Sequence, residues 1–445
     1  MSDARLLAIK SLLEIFKRGK RPKRSLEDIA SSLDRRDRSF HMEIVYGVLR
    51  FRDTIDWILN HFLKNPSKLG DFTLNNLRIA VYQIFFMRVP DWAVVNESVE
   101  IEKDKTFPDG PNRKVSLVNA VLRNILRQKE KFILPIKLDD PVEDIAINTS
   151  HPRWLIKRWI ERFGKDDARM LARANNAIQP FSIRTNTLRI SRDGLLENLL
   201  GNGLTAEPTR FSPDGILLKD MYTYTDLNFI HGLFAVQDEA SQLITYLVDP
   251  KPGERVLDAC AAPGGKTSHI AQIMQDHGEI IAVEKDPKRI ASLEENLLML
   301  GINSVKIVNA DMTNIRDKDI GTFHKILVDA PCSSIGVIRK NPDIKYKYTD
   351  ADLSKNRIRQ LELLKTVSRL LAEGGILVYS VCSTEPEEGE EVVREFLKTT
   401  ADFRIIEDVK AEFLQPFMEK GVFRTYPHKH TMDGFFGVAL CKDKR

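Results

Sequence analysis

Residues 254–275 read ERVLDACAAPGGKTSHIAQIMQ, and this stretch decides the fold class. A short apolar run is followed by a turn of small residues and glycine, and then by apolar residues at helical spacing. That is strand, turn, helix. The same alternation continues toward the C-terminus. GEIIAVEKD (278–286), VKIVNAD (305–311), HKILVDA (324–330) and GGILVYSVCS (374–383) read as strands. PKRIASLEENLLMLG, the long segment from Leu353 to Leu371, and EEVVREFLKT read as helices between or after them. Strands separated by helices need crossover connections, so the spacing predicts an α/β, doubly wound, largely parallel sheet over residues 236–445. FRIIED (403–408) and GFFGVALCK (434–442) have no helical pattern between them and are expected to close the sheet as an antiparallel edge hairpin.

In such a sheet ligands bind beyond the carboxyl ends of the strands, near the switch point. The first strand ends in Asp258-Ala259-Cys260-Ala261-Ala262-Pro263-Gly264-Gly265-Lys266-Thr267. Small residues and two glycines let backbone approach a ligand closely. The segment is neither GxGxxG nor GxxxxGK[ST], which disfavours dinucleotides and nucleoside triphosphates. The next strands end at Glu284, Asp311 and Asp329. The carboxylate at Glu284 is placed to accept hydrogen bonds from ribose hydroxyls, and a phosphate would want Lys or Arg at these ends. Together the acidic ends suit a phosphate-free nucleoside cofactor such as S-adenosylmethionine. The bland alternative stays open: Gly264 and Gly265 only turn the chain, and Glu284 is a solvated carboxylate.

Two cysteines fall on the same rim. Cys332 follows the fourth strand in DAPCSS, and Cys382 follows the fifth in YSVCS. A lone cysteine is usually a small buried hydrophobe, and Cys260 and Cys441 are read that way. Two at adjacent strand ends point to a thiolate nucleophile. The chemistry that needs a thiolate beside a methyl donor is methylation of pyrimidine carbon 5. Addition to C6 breaks aromaticity and makes C5 nucleophilic, whereas methylating oxygen or an exocyclic nitrogen needs no such help.

The rest of the 445-residue chain divides in two. Residues 1–137 are helical in pattern, with a Pro/Gly loop at DKTFPDGPNR (104–113). Residues 138–235 mix helix and short strands, among them Phe181–Asn186 and Gly215–Leu218, and predict a small α+β module. The hydrophobic fraction of 42% excludes a mainly disordered chain. No apolar run reaches membrane-spanning length, and the N-terminus lacks a signal-peptide pattern. The cysteines lie at least 50 residues apart, so neither a zinc site nor a disulfide framework is expected, and a reducing cytoplasm is. The net charge of +4 does not mark a nucleic-acid partner by itself. Residues 1–50, however, hold 12 Lys/Arg against 7 Asp/Glu, and Lys17–Arg24 has six cations in eight positions. That run either neutralises phosphates or is a solvated loop between two helices.

DACAAPGGKT, DAPCSS and YSVCS resemble the motifs of RNA cytosine-5 methyltransferases of the RsmB/Fmu/Sun type, which are also similar to the nucleolar Nop/Sun group. The resemblance covers essentially the whole chain. WAVVNESVEIEK (92–103) and SLVNAVLRNILR (116–127) are similar to a NusB-like RNA-binding domain. SIRTNTLR and VQDEASQL (236–243) are similar to an RRM-like module, and DGFFGVAL is a further family feature. The resemblance implies Cys382 as nucleophile and Cys332 as the second cysteine, which helps release product. It implies S-adenosylmethionine held by Cys260, Ala261, Ala262, Pro263, Gly264, Gly265, Lys266, Glu284, Asp311 and Asp329, with a role for Asp329 facing the base left open. It implies 16S ribosomal RNA as substrate, where the chemistry alone also allows transfer RNA. Val381 and Ser334 depart from the family's usual Thr and Gly, and neither departure removes a reacting group.

Two other classes compete. A non-catalytic RNA-binding assembly factor would not need Cys382 or a full set of strand-end carboxylates. A DNA cytosine-5 methyltransferase would use the cysteine of the PCS motif and would not need Cys382. Neither DNA nor a membrane is therefore expected as partner.

Overall fold

The computed structural model describes residues 2–29, 33–103, 114–178, 181–219, 227 and 229–444. The chain forms two compact units: Met1–Asn176 with Asn341–Lys347, and Ala177–Lys340 with Tyr348–Arg445.

The first unit is helical among its described residues. Ser2–Arg18, Pro22–Ile29, Arg35–Asn60, Asp71–Phe86, Asp91–Lys103 and Val115–Arg127 form a bundle. Its core is built from the positions whose helical spacing marked them, including Leu12, Ile44, Val48, Ile55, Ile58 and Leu122. The Pro/Gly stretch 104–113 lies outside the described residues. Pro141–Thr149 and Arg153–Ala174 complete the unit's helices. The basic run is not one loop. Lys17 and Arg18 finish the first helix, Lys23 and Arg24 belong to the second, and only 19–21 link them. Several of its cations meet carboxylates: Lys17 with Asp71 at 2.5 Å, Arg18 with Glu14 at 2.8 Å, and Lys20 with Glu14 and, at 2.9 Å, Asp28.

Asn341–Lys347 joins this unit through a buried lysine. Lys345 Nζ donates to the carbonyls of Arg50 and Ser150, both at 3.0 Å, and to Asn176 Oδ1 at 2.7 Å. Burial pulls its pKa well down from the ordinary lysine value. Beside it the Arg52 guanidinium lies over the Tyr346 ring, 3.4 Å from the centroid.

The second unit holds two sheets. The smaller is antiparallel, with strands β1 (Phe181–Thr185), β2 (Ala206–Pro208), β3 (Gly215–Leu218) and β4 (Phe234–Val236) in the order β2-β3-β1-β4. The helix Arg192–Gly201 contributes Leu195 and Leu199 to its core. The larger sheet carries the parallel strands β5 (Arg255–Asp258), β6 (Glu279–Glu284), β7 (Val305–Asn309), β8 (Phe323–Asp329) and β9 (Leu371–Val381), in the order β9-β8-β5-β6-β7. Side chains alternate across it. Val256, Ile280, Ala282, Leu327 and Val378 enter one core, and Leu257, Ile281, Val283, Ile326 and Leu377 enter the other. Both faces are buried, which is why these strands read as nearly continuous apolar runs. The chain runs outward from β5 to β7 and then returns to β8 on the other side of β5. The switch point therefore falls between Asp258 and Asp329.

Two expectations need correction. The long helix spans Asp350–Ser368, three residues earlier at each end than the pattern suggested. A Thr349–Asp352 capping box starts it, and pairing of Phe323 with Leu371 draws its expected end into β9. The last strands form no edge hairpin. Phe403–Ile405 (β10) does pair antiparallel with Phe436–Lys442 (β13), but β13 lies inside the sheet, against β9. Two short strands, Met418–Glu419 (β11) and Val422–Arg424 (β12), extend the sheet beyond it. Runs of two and three residues carry no readable period. Among the described residues no helix is long and apolar enough to cross a membrane, and no group of three or more His, Cys, Asp or Glu side chains is placed to hold a metal ion.

All four tryptophans (57, 92, 154 and 159) lie in the first unit, so their fluorescence reports its unfolding. Lys345→Met keeps the apolar stem and removes the donor from three acceptors that stay behind. We expect a loss of about 2–4 kcal/mol in denaturant melts followed by that fluorescence. An unchanged midpoint would show that the ammonium does not hold the unit together.

Candidate active site

The loop after β5 is shaped by backbone. Ala261 N–H donates to Val283 O at 3.0 Å, and Gly264 N–H to Ala261 O at 2.8 Å. Gly264 has φ +99°, a conformation that requires glycine, and a Cβ there would also press on Leu293 Cδ1 at 2.6 Å. Gly265 then opens the helix Gly265–Ile273. Pro263 and Ala262 present their carbonyls to Asn296 (2.7 Å) and Arg289. Thr267 Oγ1 donates to Asp258 Oδ2 at 2.7 Å, while burial pushes the Asp258 carboxyl up to about 6. Burial and the carboxylates of Asp258, Asp329 and Glu284 push the Cys260 thiol up, leaving it inert.

The other strand-end acids are distributed around this loop. Glu284 is buried at the end of β6. Its Oε1 accepts the N–H groups of Lys285 (2.9 Å) and Asp286 (3.0 Å), and its Oε2 lies 3.0 Å from Arg289. Asp311 is more exposed. It accepts from the Thr313 hydroxyl at 2.8 Å and from Thr313 N–H, and meets Lys285 Nζ at 3.2 Å; these donors, the hydroxyl first, hold its carboxyl low. Asp329 accepts from Lys266 Nζ at 2.7 Å and from Ser380 Oγ at 2.9 Å. It thus ties the loop after β5 to the strand that leads to Cys382. Lys266 is paired by that contact and leaves no free cation on the loop for a phosphate. The donor set, acidic and glycine-lined, fits a sulfonium-bearing nucleoside.

The two cysteines meet. Strands β8 and β9 are parallel neighbours with Asp329 level with Ser380, so their loops leave the sheet together. Cys332 Sγ and Cys382 Sγ lie 3.4 Å apart. The pair is not symmetric. The Ser334 hydroxyl is 3.4 Å from Cys382 Sγ and 3.9 Å from Cys332 Sγ. The hydrogen bond with Cys332 pulls the Cys382 thiol down against burial and the Asp329 carboxylate, with smaller help from Ser334 and the Lys266 charge. The bond to Cys382, burial and the Glu388 carboxylate hold Cys332 well up. These directions favour Cys382 over Cys332 as the sulfur that gives up its proton. The Cys382 loop is also clamped through its backbone. Gly336 N–H donates to Cys382 O at 3.1 Å, and Gly434 N–H to Gly336 O at 2.8 Å. A Cβ on Gly336 would fall 1.9 Å from Gly434 O. Cys441 lies on β13, away from this rim.

Several supporting residues escaped sequence reasoning. Arg184, fully buried on β1, donates to Gly265 O (2.6 Å), Gln272 Oε1 (2.8 Å), Ser268 Oγ (2.8 Å) and Gln237. It braces the first turn of the helix that follows the glycine loop. Burial lowers its pKa to about 9. Arg339 and Lys340 pair with Asp238 and Asp433, with Lys340 Nζ 2.7 Å from each carboxylate. VQDEASQL and DGFFGVAL meet there. Asp238 and Asp433 belong to those two motifs, whereas Arg339 and Lys340 lie in neither.

A doubly wound sheet with this rim is the fold of S-adenosylmethionine-dependent methyltransferases. Residues 245–441 match the family model of the 16S rRNA methyltransferase RsmB/F, residues 2–127 that of the NusB family, and residues 151–225 that of the RsmF/B-like ferredoxin-like domain. Ribosomal RNA small subunit methyltransferase B of Pseudomonas syringae pv. tomato is 35% identical over 99% of this chain and 97% of its own. A probable enzyme of the same name from Bacillus subtilis is 33% identical over 93% of this chain and 92% of its own. The structure of a methyltransferase homolog protein from Pyrococcus horikoshii superimposes with a TM-score of 0.60, at 30% identity, over 68% of this chain and 100% of that one. The chain belongs to the RsmB/F family of RNA methyltransferases, enzymes that depend on S-adenosylmethionine.

Ser334 has φ +61°, a left-handed conformation that favours glycine and explains the family's usual residue there. In the protonated state Cys382 Sγ donates to the Ser334 hydroxyl at 3.4 Å, and once that proton leaves, the hydroxyl turns into a donor to the thiolate. Removing a donor to the charged form raises a thiol's pKa. Ser334→Gly should therefore move the pH midpoint of Cys382 alkylation by iodoacetamide upward by about 0.5–1 unit. An unmoved midpoint would remove Ser334 from the account.

Proposed function

We propose that this protein methylates carbon 5 of a cytosine in 16S ribosomal RNA through a covalent adduct between Cys382 and C6. The observation that carries this reading is the asymmetric sulfur pair, 3.4 Å apart at the ends of β8 and β9. Exocyclic nitrogen or ribose methylation has no use for it. The small-subunit ribosomal substrate is supported by the names of relatives alike over nearly the whole chain.

The Cys382 thiolate adds to C6, and the electron pair of the C5=C6 bond moves toward C5. When bound, S-adenosylmethionine supplies the electrophilic methyl group that this activated C5 takes up. Addition spends the negative charge on Cys382 that held Cys332 protonated. Cys332 then releases its proton to water and takes the proton from C5. The C5–H electron pair re-forms C5=C6 and expels Cys382 as thiolate. One proton is released to solvent per turnover, and both sulfurs return to their starting states.

The cofactor is assigned to Cys260–Lys266, Glu284, Asp311 and Asp329, with Glu284 accepting from the ribose. Residues 236–445 are assigned to catalysis, residues 1–137 to RNA binding in the NusB manner, and residues 138–235 to an RRM-like module. The four-stranded antiparallel sheet supports the last assignment. The protein is placed in the cytoplasm, where unbridged thiols stay reduced.

The cysteine variants separate the roles. Cys382→Ala should abolish turnover and leave no covalent RNA adduct. In Cys332→Ala, addition and methyl transfer should proceed and elimination stall, so a methylated protein–RNA adduct should survive denaturing electrophoresis. An adduct in Cys382→Ala with none in Cys332→Ala would swap the roles. Retained turnover in Cys382→Ala would end the thiolate mechanism.

Glu284→Gln keeps the shape of the β6 end and removes its charge. Calorimetry should show S-adenosylmethionine binding weakened by about 1.5–3 kcal/mol, the usual value of charge-assisted hydrogen bonds. Unchanged affinity would take Glu284 out of the cofactor site.

A further inference from the structure

We infer that Glu388 is a positioning residue for both cysteines, holding the Cys332 loop where its thiol can serve Cys382; this rests on the two-cysteine reading above. Glu388 lies in STEPEEGEEVV, a run whose composition suggests a solvated acidic turn, yet it is completely buried. Ser333 N–H donates to its Oε1 at 2.7 Å, and the Ser333 hydroxyl to its Oε2. Asn356 Nδ2 donates to Oε1 at 2.9 Å and Gln360 Nε2 at 3.5 Å. These donors are neutral. A carboxylate buried among neutral donors costs several kcal/mol of desolvation, and a structural turn could be closed more cheaply by Ser, Asn or Gln.

The donors show what the charge secures. Asn356 and Gln360 sit one turn apart on the helix Asp350–Ser368, and Gln360 also donates to Pro331 O at 3.0 Å. The residue before Cys332 is thus fixed through its carbonyl, and the residue after it through its N–H. The same residue reaches the other loop. The Tyr379 hydroxyl, three residues before Cys382 on β9, donates to the Glu388 carbonyl at 2.6 Å. Ser333 Oγ lies 3.4 Å from Ser383 Oγ. One side chain and its own carbonyl therefore set the distance between the loops. The Glu388 charge also adds to the forces that keep Cys332 protonated in the resting pair, behind its bond to Cys382 and burial. Glu388 does not touch the reacting atoms. Its effect runs through Ser333.

The test uses the full chain with small-subunit ribosomal RNA transcribed in vitro, with either ordinary cytidine or 5-fluorocytidine. Fluorine at C5 cannot leave as a proton does, so the fluoro RNA traps the adduct independently of Cys332. Glu388→Gln should melt within a few degrees of wild type, bind S-adenosylmethionine within about twofold, and still form the trapped adduct. On ordinary RNA its kcat should fall by about 10–100-fold with KM within about twofold, as expected when a reacting group is displaced by a fraction of an ångström. A methylated adduct should accumulate as in Cys332→Ala. Ser333→Ala, which removes only the hydroxyl donor, guards against a folding defect. It should show the same pattern more weakly, and combined with Glu388→Gln it should be less than additive. Glu388→Asp should recover part of kcat. Turnover within twofold of wild type in Glu388→Gln, or lost turnover without adduct, would overturn the positioning role while leaving the cysteine chemistry standing. A wild-type protein that traps no adduct on fluoro RNA would instead overturn the cysteine chemistry itself.

Discussion

The contact between two sulfur atoms at 3.4 Å is the constraint on which the rest of the site depends. A thiol and a thiolate that close share one proton. Whichever sulfur has the better donors around it carries the charge. Here Ser334 and Lys266 favour Cys382, while Glu388 disfavours charge on Cys332. The contact exists because β8 and β9 are parallel neighbours in register, with Asp329 opposite Ser380. Parallel strands deliver both loops to one rim of the sheet, and an antiparallel pair would have sent them to opposite edges.

The same rim carries the carboxylates. Asp329 joins the halves of the site, since it takes Lys266 from the glycine loop and Ser380 from the strand that leads to Cys382. Glu284 takes backbone donors on one oxygen and Arg289 on the other. Behind the glycine loop, Arg184 reaches from the smaller sheet to four acceptors on and beside the helix Gly265–Ile273. The smaller sheet is therefore part of the support of this loop. That contact gives a physical reason for the two sheets to share one compact unit.

Much of this was legible in the sequence, for identifiable reasons. Parallel strands buried on both faces leave uninterrupted apolar runs, and the residue that ends each run is visible by its change of character. Asp258, Glu284, Asp311 and Asp329 were found that way, and so was the placing of Cys332 and Cys382 on neighbouring loops. What was not legible depends on distant partners. Nothing near Lys345 announces that it will be enclosed by carbonyls from Arg50 and Ser150. Glu388 sits among other acids and differs from them only in what packs around it. β11 and β12 are too short to show a period, so the place of β13 inside the sheet could not be read. Ser334 departs from the family's usual glycine in the sequence, but its left-handed backbone and its bond to Cys382 show only with the loop in three dimensions.

The central claim is that the site acts on carbon 5 of cytosine. Small-subunit ribosomal RNA transcribed with tritium at cytosine C5 tests it most directly, when incubated with the protein and S-adenosylmethionine bearing a carbon-14 methyl group. The account predicts one tritium released to water for each methyl incorporated, because the C5 hydrogen must leave. Methyl incorporation with no tritium released would place the methyl on nitrogen or oxygen and contradict it.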